Sequence, residues 1–170
     1  MSASQYEREL KGILEGDTKI ISKVTKTCST LVKDNYFKIS NRPFTVIRAA
    51  GSLGIDLVAV RGDVSFLTEV KTSIDNTLHF SSMGGKPQKQ AENMIKTCEK
   101  TKTLPIYAFR AKGVRGDSWR IFTLELLGLE GRLSVVHNRL PKIKRSKNGN
   151  FVMRWAEGMP LSDFISYLCK

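Results

Sequence analysis

Apolar and polar residues alternate with a period of two in three short runs between residues 44 and 72. Such alternation is typical of β-strands with one buried face, and it predicts strands over residues 44–48, 55–60 and 65–71. Arg61-Gly62-Asp63 separates the second run from the third, and a glycine at this place favours a tight hairpin turn. We therefore expect the last two strands to pair in an antiparallel hairpin.

Apolar residues with helical spacing precede this region. A first helix is predicted to begin near Gln5 with Ser4 as its cap, and Glu7 would complete a capping box. A second helix is predicted to be capped within residues 16–18 and to run to about residue 33. The polar segment 34–43 is predicted to be a loop.

Helix and strand patterns also follow this region. Residues 86–101 form an amphipathic pattern entered through Pro87, which predicts a helix. Because this helix would cross over between strands, a buried strand at 104–110 should lie parallel to the strand at 65–71. The further predicted elements are strands at 77–80, 118–124, 133–136 and 150–153 and a helix at 159–168.

The hairpin register would bring Asp56 close to Glu69 and Lys71 on an otherwise apolar sheet. Two carboxylates are the oxygen ligands that Mg²⁺ takes while keeping several waters. A lysine beside them can orient an attacking water or steady developing charge. This set indicates metal-assisted phosphodiester hydrolysis. The alternative is that these carboxylates simply bound exposed strands, since a Glu-x-Lys triplet also arises by chance.

The charge balance favours a polyanionic partner. Among 170 residues, 28 are basic and 16 acidic, a net charge of +12, and nucleic acid is the commonest such partner. A membrane surface is the alternative, but the sequence shows neither a strongly amphipathic basic helix nor an apolar run long enough to span a bilayer. The three distant cysteines favour reduced thiols and a cytoplasmic location over disulfides or a zinc site.

Three basic groups are candidates for contacts with DNA phosphates. In the first turn of the helix at 86–101, charge and exposed N–H groups would attract phosphates, and the candidates are Lys86, Lys89 and Gln90. The basic segment 141–149 contributes Lys142, Lys144 and Arg145. The third group lies outside the apolar stripe of the N-terminal helices and is either a solvated face or a further DNA contact: Lys19, Lys23, Lys26 and Lys33.

Asp56 followed across a short hairpin by Glu69-Val70-Lys71 resembles the D…(D/E)-x-K signature of the restriction-endonuclease-like nucleases. Within that superfamily, three further blocks are similar to the archaeal Holliday-junction resolvases: Tyr6-Glu7-Arg8-Glu9-Leu10, Val46-Ile47-Arg48-Ala49-Ala50-Gly51-Ser52 and Trp119-Arg120-Ile121-Phe122. The chain departs from that pattern in the spacing between Glu7 and Asp56, which is longer. The additional length corresponds to an enlarged helical region at about residues 16–43.

The resemblance implies an α/β, restriction-endonuclease-like fold, with a mixed five-stranded central sheet flanked by helices in a single domain over residues 1–170. It implies a Mg²⁺ site, in which Mn²⁺ would substitute, with Glu7, Asp56 and Glu69 as ligands. Lys71 would assist the attacking water, and Ser52 would lie at the rim of the active site.

The same resemblance implies that Arg8 and Arg48 face phosphates. The expected function is structure-selective DNA cleavage that resolves four-way (Holliday) junctions by paired nicks, in DNA recombination and repair. Because each site cuts one strand, we expect a homodimer. It would act on branched DNA at the nucleoid in the cytoplasm.

Two other functions stay open on sequence alone. A restriction-type or repair endonuclease of the same fold would act on other DNA structures with the same chemistry. A non-catalytic basic nucleic-acid-binding protein would carry the same charge, with its acidic residues serving only the fold.

Overall fold

The computed structural model describes residues 2–50 and 54–170. Six α-helices occur in these residues: α1 Ala3–Leu14, α2 Thr18–Val24, α3 Thr30–Phe37, α4 Lys86–Thr101, α5 Gly131–Arg139 and α6 Leu161–Leu168. None of the described helices is both long and apolar enough to cross a lipid bilayer.

Nine strands occur in the same part of the chain: β1 Thr45–Arg48, β2 Leu57–Val60, β3 Ser65–Ser73, β4 Thr77–His79, β5 Leu104–Ala111, β6 Trp119–Phe122, β7 Lys144–Arg145, β8 Phe151–Arg154 and β9 Met159–Pro160. Six of them form one mixed sheet in the order β1-β2-β3-β5-β6-β9, and the others form a small sheet in the order β4-β8-β7. The predicted α/β class with a mixed central sheet is confirmed. The sheet has one strand more than predicted because the two-residue β9 pairs with β6.

The hairpin formed by β2 and β3 has the predicted register. Leu57 lies opposite Thr68 and Val60 opposite Ser65. Strand β3 then pairs with β5 in parallel, as the crossover through α4 predicts. Helix α4 has the predicted bounds, and it begins at Lys86 with Pro87 in its first turn.

The central sheet is covered on both faces. Alternate residues of β5 enter two different cores: Leu104, Ile106 and Ala108 lie in one, and Tyr107 and Phe109 in the other. The first core is covered by α1, α3 and α6, and the second by α4 and the small sheet. A strand buried on both faces reads as a continuous apolar run, which explains the pattern at 104–109.

The first helix begins earlier than predicted. Its N-cap is Ser2, whose backbone N–H donates to Gln5 Oε1 at 2.7 Å. Ser4 is therefore not the cap, and Glu7 does not complete a capping box. Glu7 lies one turn further into the helix, where its side chain is available for another role.

The predicted second helix is two helices. Asp17 caps α2 by accepting from the backbone N–H groups of Lys19 and Ile20, and Ser29 caps α3. Thr25 ends α2, and its hydroxyl donates to the Ile21 carbonyl at 2.8 Å. Such a bond competes with continuation of the helix. The apolar spacing of the sequence runs on across this break and therefore does not reveal it. The predicted loop at 34–43 holds the end of α3 and a 3₁₀ turn instead.

Residues 133–136, predicted as a strand, lie in α5. The two valines in this segment suggested a strand, but α5 buries Val136 and His137 and leaves Val135 exposed. Packing of one helix face against the core outweighs the preference of single residues for strands. The basic segment 141–149 is a hairpin tip as predicted, since β7 pairs with β8.

Candidate active site

Asp56 is fixed at the entrance to β2 by two backbone hydrogen bonds. Its own N–H donates to the Thr68 carbonyl at 2.8 Å. Its carboxylate Oδ2 accepts from the Val70 N–H at 2.7 Å. The neighbouring strand therefore holds the carboxylate of Asp56 next to Glu69, as the predicted register requires.

Glu69 and Lys71 lie two residues apart on β3 and point to the same face, as strand alternation predicts. Lys71 Nζ donates to Glu69 Oε1 at 2.7 Å. The Glu69 residue is only 6% exposed. Its second oxygen, Oε2, is buried and has no hydrogen-bond partner among the described residues. A buried carboxylate oxygen without a partner is costly unless a ligand supplies one.

Burial disfavours the ionised forms of both carboxyls. For Asp56, burial raises the pKa, the hydrogen bond from Val70 works in the opposite direction, and the charge of Glu7 adds to the rise. For Glu69, burial also raises the pKa, while Lys71 opposes the rise and Asp56 adds to it. When both are ionised, these two neighbouring carboxylates form a centre of excess negative charge.

Glu7 approaches this centre from α1. Its Oε2 accepts from Arg48 Nη2 at 2.7 Å, and Arg48 ends β1. Within residues 2–50 and 54–170, no three acidic, histidine or cysteine side chains lie close enough to share one metal ion. The structure thus brings Asp56 and Glu69 together, with Glu7 nearby in an ion pair of its own.

The pair of carboxylates suits a hard divalent cation. Mg²⁺ usually takes one or two carboxylates and fills its other positions with water. Asp56 and Glu69 supply two, and the partnerless Oε2 of Glu69 is an oxygen that a cation would satisfy. A cation would also offset the negative charge of two ionised carboxylates held side by side in a buried site.

A pocket of about 200 Å³ opens beside Lys71. Leu78 and Phe80 from the segment between β3 and α4 form much of its wall, together with Pro87 of α4. Access to the Lys71 ammonium from this side would let a bulky substrate approach the carboxylates.

The first turn of α4 lies against the turn that precedes Asp56. A Cβ added at Gly54 would lie 3.0 Å from the Cβ of Gln90. Lys86 and Lys89 are exposed nearby on the same helix. The structure therefore places Gln90 beside the turn that leads to Asp56, with Lys86 and Lys89 exposed on the same helix. Gln88, which the sequence did not single out, is buried, and its Oε1 accepts from the Phe151 N–H at 2.7 Å.

The other predicted DNA contacts differ in whether their side chains already have a partner within the protein. Arg8 is exposed on α1. Lys144 is exposed and pairs with Glu157 at 3.1 Å, and Arg145 donates to the Gly149 carbonyl at 2.8 Å.

Lys142 has a structural role. Its ammonium donates to the carbonyls of His137 and Leu140 at the end of α5, where a cation stabilises the helix. Its proposed phosphate contact would require breaking these bonds. Ser52, predicted at the rim of the site, lies outside the described residues.

Tyr107 is a site residue that the sequence analysis missed. It lies opposite Glu69 in the β3–β5 pairing. Its hydroxyl is buried without a hydrogen-bond partner among the described residues. Burial, followed by the charges of Glu69 and Asp56, raises its pKa. The sequence feature that could have identified it is a single tyrosine in the apolar strand that pairs with the Glu-x-Lys strand.

A mixed α/β sheet whose hairpin carries Asp, Glu and Lys on one face defines a nuclease of the restriction-endonuclease-like class. The chain belongs to the archaeal Holliday junction resolvase (Hjc) family, whose model matches residues 37–169. Members of this family are metal-dependent endodeoxyribonucleases, and the chain is an enzyme of that class. The non-catalytic alternative is thereby excluded.

The fold is similar to that of a Holliday junction resolvase, Hjc, from the hyperthermophilic archaeon Archaeoglobus fulgidus. The two chains superimpose with a TM-score of 0.55 over 96% of this chain and 94% of the other, at 17% sequence identity. At this identity the likeness concerns the fold alone. No curated protein sequence matches the chain significantly.

Proposed function

We propose that the protein is a Mg²⁺-dependent, structure-selective endonuclease that resolves four-way DNA junctions by paired nicks. The observation that carries this proposal is the convergence of Asp56, Glu69 and Lys71 on the β2–β3 hairpin in a member of this family. In this proposal, residues 1–170 act as one nuclease domain with an enlarged N-terminal helical region, in the cytoplasm at the nucleoid.

Asp56 and Glu69 would hold the cation. When bound, Mg²⁺ polarises the scissile phosphate and lowers the pKa of a coordinated water. Lys71 keeps one donor on Glu69 Oε1, so its other two N–H donors can orient the attacking water or stabilise the leaving oxygen. The Val70 N–H holds Asp56 in position throughout. Mn²⁺ should substitute for Mg²⁺, because both accept oxygen ligands.

Glu7 and Arg48 would exchange partners when substrate binds. Their ion pair at 2.7 Å occupies both side chains. Opening the pair would free the oxygen and the amino group that it uses for the roles implied for them, Glu7 as a third metal ligand and Arg48 as a phosphate contact. Binding of DNA and metal together would compensate for the lost ion pair, since each gives one member of the pair a new partner of opposite charge.

Phosphate contacts beside the centre would come from α4, with Lys86, Lys89 and Gln90. Further along the DNA, Lys144 and Arg145 would contact the backbone from the tip of the β7–β8 hairpin. Ser52 would complete the rim of the site. The described part of the chain has one such centre and a four-way junction needs two symmetric cuts, so a homodimer would supply the second.

The test is cleavage of end-labelled DNA by wild type, Asp56→Ala and the control Asp75→Ala, which removes an exposed carboxylate after β3. An immobile four-way junction, a duplex of equal length, a flap and a single strand are compared with Mg²⁺, with Mn²⁺ and with EDTA. We expect paired symmetric nicks in the junction alone, lost with EDTA and in Asp56→Ala, and retained in Asp75→Ala.

Mixing active and inactive protein tests the dimer. If two subunits cut one junction, wild type mixed with excess Asp56→Ala should give mainly singly nicked junctions. Cleavage of flaps or plain duplex in preference to the junction would still support the proposed phosphodiester hydrolysis, but it would favour a repair or restriction-type substrate. Junction cleavage that persists in Asp56→Ala would overturn the proposed site.

A further inference from the structure

Helices α1 and α2, the turn after α2 and the loop between β5 and β6 are neighbouring segments that carry five basic side chains. We call these the α2 basic patch: Arg8, Lys23, Lys26, Lys112 and Arg115. Arg8 and Lys23 line one cleft of about 160 Å³. Lys112 Nζ lies 5.9 Å from the centre of the Tyr6 ring on α1. Thr27 Oγ1 accepts from the Gly116 N–H at 3.1 Å, so the turn that follows α2, which carries Lys26, lies against the loop that carries Arg115.

The position of the patch relative to the active site is set by packing. A Cβ added at Gly12 of α1 would lie 2.2 Å from Ile20 Cδ1 of α2, so the two helices approach closely. Arg8 follows Glu7 directly on α1, and the charge of Glu7 acts on Asp56. Arg8 and Lys23 of the patch are therefore joined to the carboxylate centre through α1 and the α2 helix packed on it.

The charges of the patch are not neutralised within the protein. In the described part of the chain, none of its five side chains forms an ion pair.

The nearby acids are already engaged. Glu9 accepts from Arg110 and Trp119, and Asp117 accepts from the Tyr36 hydroxyl and the Ser162 N–H. An uncompensated cluster of like charges repels itself and favours a polyanion.

We propose that the α2 basic patch binds the phosphate backbone of a duplex arm of the substrate, away from the strand that is cut. This rests on the proposed function and deepens it. Lys23, Lys26 and Arg115 are exposed, whereas the aromatic ring beside the patch, Tyr6, is 7% exposed. Phosphates therefore offer the main contact, which makes it independent of base sequence.

Helix α2 lies before residue 37, where the family match begins. The enlarged N-terminal region would thus add a DNA contact that the matched region does not include. It lengthens the basic surface on the α1 side of the sheet, across from α4, whose apolar face lies in the other core.

The test measures how DNA affinity depends on salt. Lys23→Gln/Lys26→Gln is compared with Lys96→Gln/Lys100→Gln, a matched pair of exposed lysines on α4 that form no ion pair among the described residues. Binding to the four-way junction and to a plain duplex is measured with Ca²⁺ in an Asp56→Asn background, so that no cleavage intervenes. The slope of log K against log salt is negative, and we expect the patch variant to reduce its magnitude by about 2, one for each lost phosphate contact. The α4 variant should keep the parent slope.

Two further measurements separate the outcomes. Lys23→Arg/Lys26→Arg should restore the slope, because it restores the charge, and matched thermal unfolding curves would show that the Gln variant is folded. An unchanged slope in a folded Lys23→Gln/Lys26→Gln variant, or an equal loss in the α4 variant, would overturn the proposal. Because binding is read on plain duplex as well, the result stands apart from whether wild type cuts junctions.

Discussion

Replacing Asp56 with asparagine should stabilise the protein in the absence of metal while abolishing cleavage. The Asp56 carboxyl is buried beside Glu69, and burial raises its pKa above the usual value of 3.8. Because folding raises this pKa, the folded protein binds the proton more tightly than the unfolded chain does. The metal-free wild type should therefore lose stability as the pH rises from 3.8 through the folded value.

The magnitude follows from the contacts of Asp56. Asparagine keeps an oxygen to accept from the Val70 N–H, so the 2.7 Å hydrogen bond is retained. Two unit charges about 4 Å apart interact by about 4 kcal/mol at an effective dielectric constant of 20. Lys71 offsets much of this repulsion, since it lies 2.7 Å from Glu69. We expect a gain of about 1–2 kcal/mol at pH 7, the usual size for relief of a strained active site.

Thermal unfolding in EDTA provides the measurement. For a chain of this length the gain corresponds to a rise in Tm of about 2–8 °C. The gain should vanish below the usual pKa, where both the wild-type carboxyl and the amide are neutral. Ca²⁺ at about 100 times its Kd should stabilise wild type by about 2.7 kcal/mol and the variant far less. Asp75→Asn is the control, because its carboxylate is exposed. A Tm for Asp56→Asn equal to or below that of wild type in EDTA at pH 7 would refute the reasoning.

Three further predictions test other contacts. Lys71→Met should keep the stabilisation by Ca²⁺ but lose cleavage by on the order of 10²- to 10⁴-fold in single-turnover assays, and full activity would exclude a role in proton transfer or charge stabilisation. Hydrogen bonding to Arg61 lowers the pKa of Asp63, so its stabilisation is present above the usual value and is lost as the pH falls through the folded one. Asp63→Asn should therefore cost about 1 kcal/mol in denaturant unfolding at pH 7 and nothing in strong acid, and a cost independent of pH would contradict this. Gly158→Ala would place a Cβ 2.6 Å from a buried phenyl ring of β6 and should cost about 1–3 kcal/mol, whereas Gly62→Ala, with open space around it, should unfold like wild type.

The β2–β3 hairpin with its candidate catalytic residues could be predicted from the sequence because its determinants are local. A period of two places Glu69 and Lys71 on one face, and the short turn at residues 61–63 sets the pairing with the strand after Asp56. Helix α4 was also predictable, since its apolar spacing and Pro87 are signals within one short segment. In these elements the residues nearest in sequence are those that decide the conformation.

Other features depended on distant parts of the chain. The helical state of residues 133–136 follows from which face of α5 the core covers. The Glu7–Arg48 pair joins α1 to β1, and Tyr107 reaches Glu69 only because β3 and β5 pair in parallel. The sequence alone determined the set of candidate catalytic groups and their order on the hairpin. The tertiary structure decided which charges are buried, paired or left free, because burial and pairing depend on packing between segments far apart in the chain.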